Sequence, residues 1–337
     1  MILANAHENQ PLAPTWKQAQ AAAITDPAEL IALLELDPAW LPAARAAAKG
    51  FPLRVPRGFV ARMRKGDPHD PLLRQVLPIG AELDDVPGFG TDPVGESDAS
   101  PVPGLLQKYH GRVLLPVTGA CGIHCRYCFR RHFDYSAQNP RRHWQGLLEH
   151  LVRDAEVSEV ILSGGDPLTL DTPRLTAIGQ DLAAIPHIRR LRIHTRQAVV
   201  LPERIDDEFV AWIGALPFDV VMVVHVNHAN EIDDIVRDRL ARLRKAGVTL
   251  LNQSVLLRGV NDDADALVAL SETLFSAGVL PYYLHLLDPV AGAAHFDVSE
   301  NDALRLFGEI HARLPGYLVP RLVREIAARP GKTLIFP

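Results

Sequence analysis

From residue 113 onward the chain alternates short apolar runs with amphipathic segments, and this alternation restricts the possible fold more than any other feature. Apolar runs occupy 113–117, 160–162, 191–194, 220–226, 250–257 and 282–287. Segments of helical period cover 142–154, 172–184, 203–214, 231–246, 263–276 and 299–313. Strands joined by helices of this length pair in parallel, so the pattern predicts six β-α units. Six units fall short of the eight that close a TIM barrel. The expected fold is therefore α/β, a partial (β/α)6 TIM-like barrel, with reacting groups gathered at the C-terminal ends of its strands.

At 337 residues there is room for one such barrel and appendages. Residues 1–105 hold helix-like stretches at 26–36, after a Thr25 or Asp26 cap, and at 39–49, closed by Gly50. They predict an N-terminal helical extension. Between 84 and 104 Pro, Gly, Asp and Ser dominate, which marks an irregular linker. The barrel is assigned to 106–315 and a short C-terminal segment to 316–337.

With 47% hydrophobic and 22% charged residues the chain can bury a substantial core. A net charge of -5, with both signs mixed along the chain, offers no broad basic field for nucleic acid. No apolar run approaches the ~20 residues that span a bilayer, and Met1 to Glu8 lack the basic start of a signal peptide. A cytoplasmic protein acting on a small molecule is expected.

The only three cysteines are Cys121, Cys125 and Cys128, directly after the first strand of the alternating region. Packed this closely they cannot build a disulfide framework. Three thiolates on one loop can hold three corners of a 4Fe-4S cluster, and an iron without a protein ligand is open to a substrate or cofactor. The alternative is a tetrahedral zinc site with His124 or His132 as fourth ligand, in a binding module without catalysis.

The second strand ends in Ser163-Gly164-Gly165-Asp166-Pro167. Paired glycines let backbone approach a ligand closely, and Asp166 can accept hydrogen bonds from an ammonium; the same residues also make an ordinary turn. His225 at the fourth strand end, Gln253 in the fifth, and His194 and Arg196 at the third are polar positions in apolar surroundings. Each is either a buried structural hydrogen-bonder or a ligand contact.

The C-x3-C-x2-C spacing, with an aromatic residue before the last cysteine, resembles the radical-SAM superfamily. That resemblance implies a radical-SAM partial barrel, with S-adenosylmethionine on the open iron and its amino group received by Gly164, Gly165 and Asp166. One electron from the cluster then releases a 5′-deoxyadenosyl radical. His225 and Gln253 are implied as further cofactor contacts, and a flavodoxin or ferredoxin type protein as electron donor.

Pro101-Val102-Pro103-Gly104-Leu105-Leu106, Cys125 to Arg131, and Leu191-Arg192-Ile193-His194-Thr195-Arg196 are similar to lysine 2,3-aminomutases, over nearly the whole chain. The short length, Arg54-Val55-Pro56-Arg57, Asp70 to Leu77 and Gly292 to Phe296 look like the branch that makes (R)-β-lysine for modification of elongation factor P. That family implies pyridoxal phosphate and a Schiff-base lysine. The lysines are Lys17, Lys49, Lys65, Lys108, Lys245 and Lys332. Lys332 matches the family's cofactor lysine, although six positions from the end it would ordinarily be a solvated tail residue.

By the same resemblance Lys108 and Arg112 meet the cofactor phosphate, Arg130 grips the substrate carboxylate, and Asp288 holds the ε-ammonium of lysine. Free L-lysine is the implied substrate, and an elongation factor P lysyl ligase the functional partner; a homodimer is also expected. Two departures stand out. Glu325 is the candidate replacement for a second family aspartate, in a run, Glu325 to Gly331, that differs from the glycine-rich pattern. The C-terminal zinc cysteines of longer members are missing from this sequence. A catabolic aminomutase acting on lysine, ornithine or glutamate is the rival activity, with Asp288 unsuited to an anionic glutamate side chain.

Overall fold

The computed structural model describes residues 14–96, 99–136, 140–327, 329 and 331–336. Met1 to Glu8, and Ala328 and Pro330 of the C-terminal run, lie outside these. Among the described residues nine strands form one sheet: β1 (Leu106–Tyr109), β2 (Arg112–Thr118), β3 (Glu159–Gly164), β4 (Arg190–Thr195), β5 (Asp219–Val224), β6 (Thr249–Val255), β7 (Leu280–His285), β8 (Arg321–Arg324) and β9 (Thr333–Leu334). Their spatial order is their sequence order. β2 to β8 run parallel, while β1 and β9 pair antiparallel at the two edges, so the barrel is partial.

Helices cover the outer face: α6 (Pro140–Arg153), α7 (Thr172–Ala183), α8 (Gln197–Val200), α9 (Asp207–Gly214), α10 (Asp234–Lys245), α11 (Ala264–Ser276) and α12 (Glu300–Arg313). Side-chain caps fix where most of them begin. Asp171, Asp206, Asp233, Asp263 and Ser299 each accept a backbone N–H in the first turn of α7, α9, α10, α11 and α12. Between helices and sheet, Leu162, Leu191, Ile193 and Met222 pack with Leu175, Leu182, Phe209 and Leu240 in one buried cluster. β3 is buried along its whole length, as a strand covered on both faces must be.

The N-terminal helices are α1 (Trp16–Ala21), α2 (Pro27–Leu33), α3 (Leu41–Gly50), α4 (Arg57–Val60) and α5 (Pro71–Arg74). Asp26 is the α2 cap, and the helix stops three residues before the expected 36 because Glu35 takes a left-handed φ of 55°. The expected strands 220–226 and 250–257 likewise end early, at Val224 and Val255. β1, β8 and β9 were not expected. They are two to four residues long, too short for a periodic signal.

The N-terminal core, built from Ile24, Leu30, Phe59, Leu72 and Leu73, also takes in Ile123, Val200 and Leu201. These helices therefore pack on the cysteine loop. Backbone joins them too: His124 N–H donates to Arg54 O and Arg126 N–H to Gln75 O, each at 2.9 Å. The fully buried Arg126 places its guanidinium on Glu82, at 2.8 and 2.5 Å, and on Phe51 O at 2.8 Å. Arg131 adds a bond to the same carboxylate at 2.9 Å. No helix among the described residues is long and apolar enough to cross a membrane.

Glu82→Gln leaves two buried guanidinium groups without a counter-charge. Breaking one side of a buried ion pair costs about 3 to 5 kcal/mol, so denaturant unfolding of the metal-free protein should show a loss of that order. A loss below about 1 kcal/mol, the scale of an exposed pair, would mean the clamp is not holding the loop.

Candidate active site

The loop carrying Cys121, Cys125 and Cys128 leaves β2 at the C-terminal end of the barrel, where the next strand ends fasten it. Gly165 N–H donates to Thr118 O at 2.6 Å and Asp166 N–H to Ala120 O at 2.8 Å. A Cβ on Gly164 would lie 2.5 Å from Thr118 O, and one on Gly165 2.3 Å from Ala120 O. Both glycines are thus required by backbone packed on backbone, whatever else approaches them. Gly164, at φ 121°, also sits where side chains are strained.

Asp166 ties this turn to the next strand. Its carboxylate accepts from Leu168 N–H, Thr195 Oγ1, Arg196 N–H and Gln197 N–H at 2.7 to 3.0 Å. Burial pushes this carboxyl up, and these hydrogen bonds pull against that shift. With both oxygens engaged inside the protein, Asp166 has its charge rather than a free hydrogen-bond acceptor to give an ammonium.

One cavity of about 470 Å³ opens onto the loop and runs down the barrel interior. It brings together every candidate residue: Cys121, Cys125 and Cys128; Gly164, Gly165 and Asp166; Lys108 and Arg112; Arg130; His225; Gln253; Asp288; and Lys332. His225 directly follows β5, Gln253 lies in β6, and Asp288 is three residues beyond β7. Lys332 reaches the cavity because β8 joins the sheet and β9 turns back beside it. The C-terminal segment is therefore part of the wall and not a solvated tail.

At this deep end Lys332 Nζ meets Glu325 Oε2 at 2.8 Å, and Tyr109 Oη donates to Glu325 Oε1 at 2.5 Å. Burial alone would raise the Glu325 carboxyl, but the Lys332 ammonium and these hydrogen bonds hold it below its ordinary range. Asp288 has the opposite balance. Burial pushes it up to about 7, with Lys332 pulling it down only in part. Lys108 donates to Val94 O at 2.7 Å, and Arg112 stacks 4.5 Å over the Tyr109 ring.

Arg130 is buried in the cavity wall with its fork engaged. Nε and Nη2 grip Glu96 at 2.8 and 2.6 Å, while Nη1 meets Ser163 Oγ at 2.9 Å. The bidentate face expected for a ligand carboxylate holds a carboxylate of the protein itself. Glu96 comes from the irregular linker, where no periodicity or spacing marks it. Tyr109 was also missed, since β1 is too short to read. His285 was missed as well, although it ends β7 as a polar residue among apolar ones.

Burial disfavours thiolates and pushes Cys128 up to about 11 and Cys121 well up, and each thiol also feels its neighbours. Positive iron reverses that preference. Among the described residues no three His, Cys, Asp or Glu groups converge closely enough for a single ion. His124 Nδ1 contacts Pro52 O at 2.8 Å, and His132 Nε2 contacts Ala291 O at 3.2 Å. This donor set fits a multi-iron cluster on three thiolates better than tetrahedral zinc.

Further in, the Nε2 atoms of His194, His225 and His285 are buried without a protein partner. Burial holds the three rings neutral, His225 at about 3 and the others well below their ordinary value. Unpaired buried nitrogens within reach of the Arg192 and Lys332 charges suit a polar ligand.

Gly165→Ala drives a methyl group into the Ala120 carbonyl and must displace the cysteine loop. Anaerobic reconstitution should then bind less than about half the iron of the unaltered chain, because the loop no longer presents three thiolates to one cluster. Full iron loading in a folded variant would contradict this role for the glycine.

Residues 115–270 match the family described as the Radical SAM superfamily. The chain is 51% identical to the L-lysine 2,3-aminomutase of Escherichia coli (strain K12), covering 96% of this chain and 95% of that one. For the enzyme of the same name from Haemophilus influenzae the identity is 47%, with 95% of each chain covered. For that of Clostridium subterminale it is 34%, over 86% of this chain and 70% of that one. With a cysteine loop and an amine-bearing segment facing one cavity, and likeness of this extent, the chain belongs to the L-lysine 2,3-aminomutase family within the radical SAM superfamily.

Proposed function

We propose that this isomerase converts (S)-α-lysine to (R)-β-lysine, using a 4Fe-4S cluster on Cys121, Cys125 and Cys128, S-adenosylmethionine and pyridoxal phosphate. The observation that carries this is the convergence of three thiols and Lys332 on one cavity, with Glu325 and Asp288 beside the amine. When bound, the cofactors supply a 5′-deoxyadenosyl radical and a π-system across which an amino group migrates between adjacent carbons.

The protein's own groups bind and orient. Lys332 offers its amine to the cofactor aldehyde, and Lys108 and Arg112 offer positive charge to its phosphate. The unpaired imidazoles of His194, His225 and His285 accept or donate hydrogen bonds to the bound groups. Gln253 and His225 contact S-adenosylmethionine, and the Gly164-Gly165 turn receives its amino group beside the Asp166 charge. Arg130 takes the substrate carboxylate in place of Glu96, which presents the fork in the interim.

Asp288 selects a substrate with a distant ammonium, and Glu325 is the second carboxylate available to it once Lys332 has bonded elsewhere. An ammonium suits this pair and an anionic side chain does not, which disfavours glutamate as substrate. Electrons come from a flavodoxin or ferredoxin type donor. We place the protein in the cytoplasm, supplying (R)-β-lysine to the ligase that modifies elongation factor P. The likeness of 54–57, 70–77 and 292–296 to that branch supports this assignment. A catabolic lysine aminomutase is the alternative, and the handedness of the product separates the two.

The test is a chiral assay of the product formed anaerobically from (S)-α-lysine with both cofactors and a reductant. The (R)-β-isomer is expected; the (S)-β-isomer would favour the catabolic branch, and no β-lysine would contradict the proposal. The pH dependence follows from Asp288. Below pH 7 its carboxyl is neutral and attracts no ammonium; above pH 7 it is ionised. kcat/KM for lysine should therefore rise about tenfold per pH unit below 7 and flatten above it. Asp288→Asn should lower kcat/KM at pH 8 by about a hundredfold, the scale of a charge-assisted bond, and remove that slope.

A further inference from the structure

Behind the cysteine loop, away from the cavity's deep end, lies a polar network that substrate binding does not use. Its centre is Arg196, 5% exposed, at the C-terminal end of β4. Nη1 donates to Cys125 Sγ at 2.7 Å and to Tyr127 Oη at 2.6 Å. Nη2 donates to Gln75 Oε1 at 2.7 Å and to Glu231 Oε2 at 3.1 Å. Asn227 Nδ2 donates to Tyr127 Oη at 2.7 Å and Gln75 Nε2 to Glu231 Oε1 at 3.2 Å, while Arg196 Nε is buried without a partner.

Two features distinguish this from a buried ion pair serving stability alone. First, the residue is held at both ends: its backbone N–H donates to Asp166 Oδ2 at 2.7 Å, and its buried side chain is gripped by the network just described. Second, of the three cluster cysteines, Cys125 alone among the described contacts receives a charged donor on its sulfur. A guanidinium stays charged at any working pH, and the Glu231 carboxylate lies beside it at 3.1 Å. A fixed positive charge and an N–H on a ligand sulfur both stabilise the more negative, reduced form of an iron-sulfur cluster. In a buried site such a charge acts through little screening.

We propose that Arg196 is a positioning residue that raises the reduction potential of the cluster through Cys125, with Glu231 as the counter-charge that limits the effect. The inference rests on the assignment of a 4Fe-4S cluster to the three cysteines. It assigns Arg196 to electron entry, before any radical forms, and not to substrate or S-adenosylmethionine.

The test is an EPR-monitored redox titration of the reconstituted full-length protein, with iron and sulfide counted in each sample. At the potential where the unaltered cluster is half reduced, Arg196→Gln should lower the ratio of reduced to oxidised cluster by about tenfold. Arg196→Lys, which keeps the charge, should lower it less. Glu231→Gln retains an acceptor for the backbone amides of Asn227 and His228 but removes the counter-charge, so it should raise the ratio. A purely structural role would not give shifts of opposite sign. Unchanged ratios in variants with full iron content would overturn the inference. Should Arg196→Gln fail to assemble a cluster, the sign of the Glu231→Gln shift decides alone: a rise supports the proposal, and no change or a fall overturns it. Zinc without iron in the unaltered chain would instead sink the cluster assignment itself.

Discussion

The cysteine loop has little core of its own, and its shape depends on backbone contacts imposed from outside. On one side the Gly164-Gly165-Asp166 turn lies against Thr118 and Ala120 so closely that no Cβ fits between them. On the other, the N-terminal helices hold it through Arg54, Gln75 and the Glu82 carboxylate shared by Arg126 and Arg131. Asp166 links both supports to β4 by hydrogen bonding to Thr195, Arg196 and Gln197. The N-terminal region thereby shapes the cysteine loop, and its Phe51, Val94 and Glu96 also line the cavity. The course of the loop carrying the three thiols is thus set by these contacts and not by a core of its own.

The deep half of the cavity is governed by charge balance. Two lysines, Tyr109 and two carboxylates share this end of the cavity, and the proton affinities of the two carboxylates diverge according to how each is paired. Glu325, bonded to Lys332 and Tyr109, stays ionised; Asp288, with more burial than compensation, rises to about 7. Under the function proposed, an arriving ammonium would compensate Asp288, so that substrate charge and site charge are matched only together. Glu96 plays a comparable part at Arg130, whose fork it occupies with both carboxylate oxygens.

Strand and helix periodicity made the six β-α units legible because the strands carry buried apolar residues, alternating along β4 and β6, and the helices each bury one face. It overran strand ends at Val226 and Leu257, where apolar residues continue into loops that are themselves buried. The cysteines were legible from spacing, and Lys332 from resemblance alone, since the β8–β9 return that carries it inward has no periodic signature. The roles of Glu96 and Tyr109 arise from contacts across 34 and 216 residues of sequence. No local pattern encodes such pairs. Asp166 was legible as important but for an incomplete reason, because its hydrogen-bond partners come from the next strand.

The central claim is that three thiolates on a pre-shaped loop leave one iron open to S-adenosylmethionine. Its most direct test is iron and sulfide analysis of the anaerobically reconstituted chain, with EPR of the reduced cluster before and after adding S-adenosylmethionine. About four iron and four sulfide per chain, and a spectrum that changes on addition, are the predicted result. One zinc and no iron per chain, or a cluster whose spectrum is indifferent to S-adenosylmethionine, would contradict it.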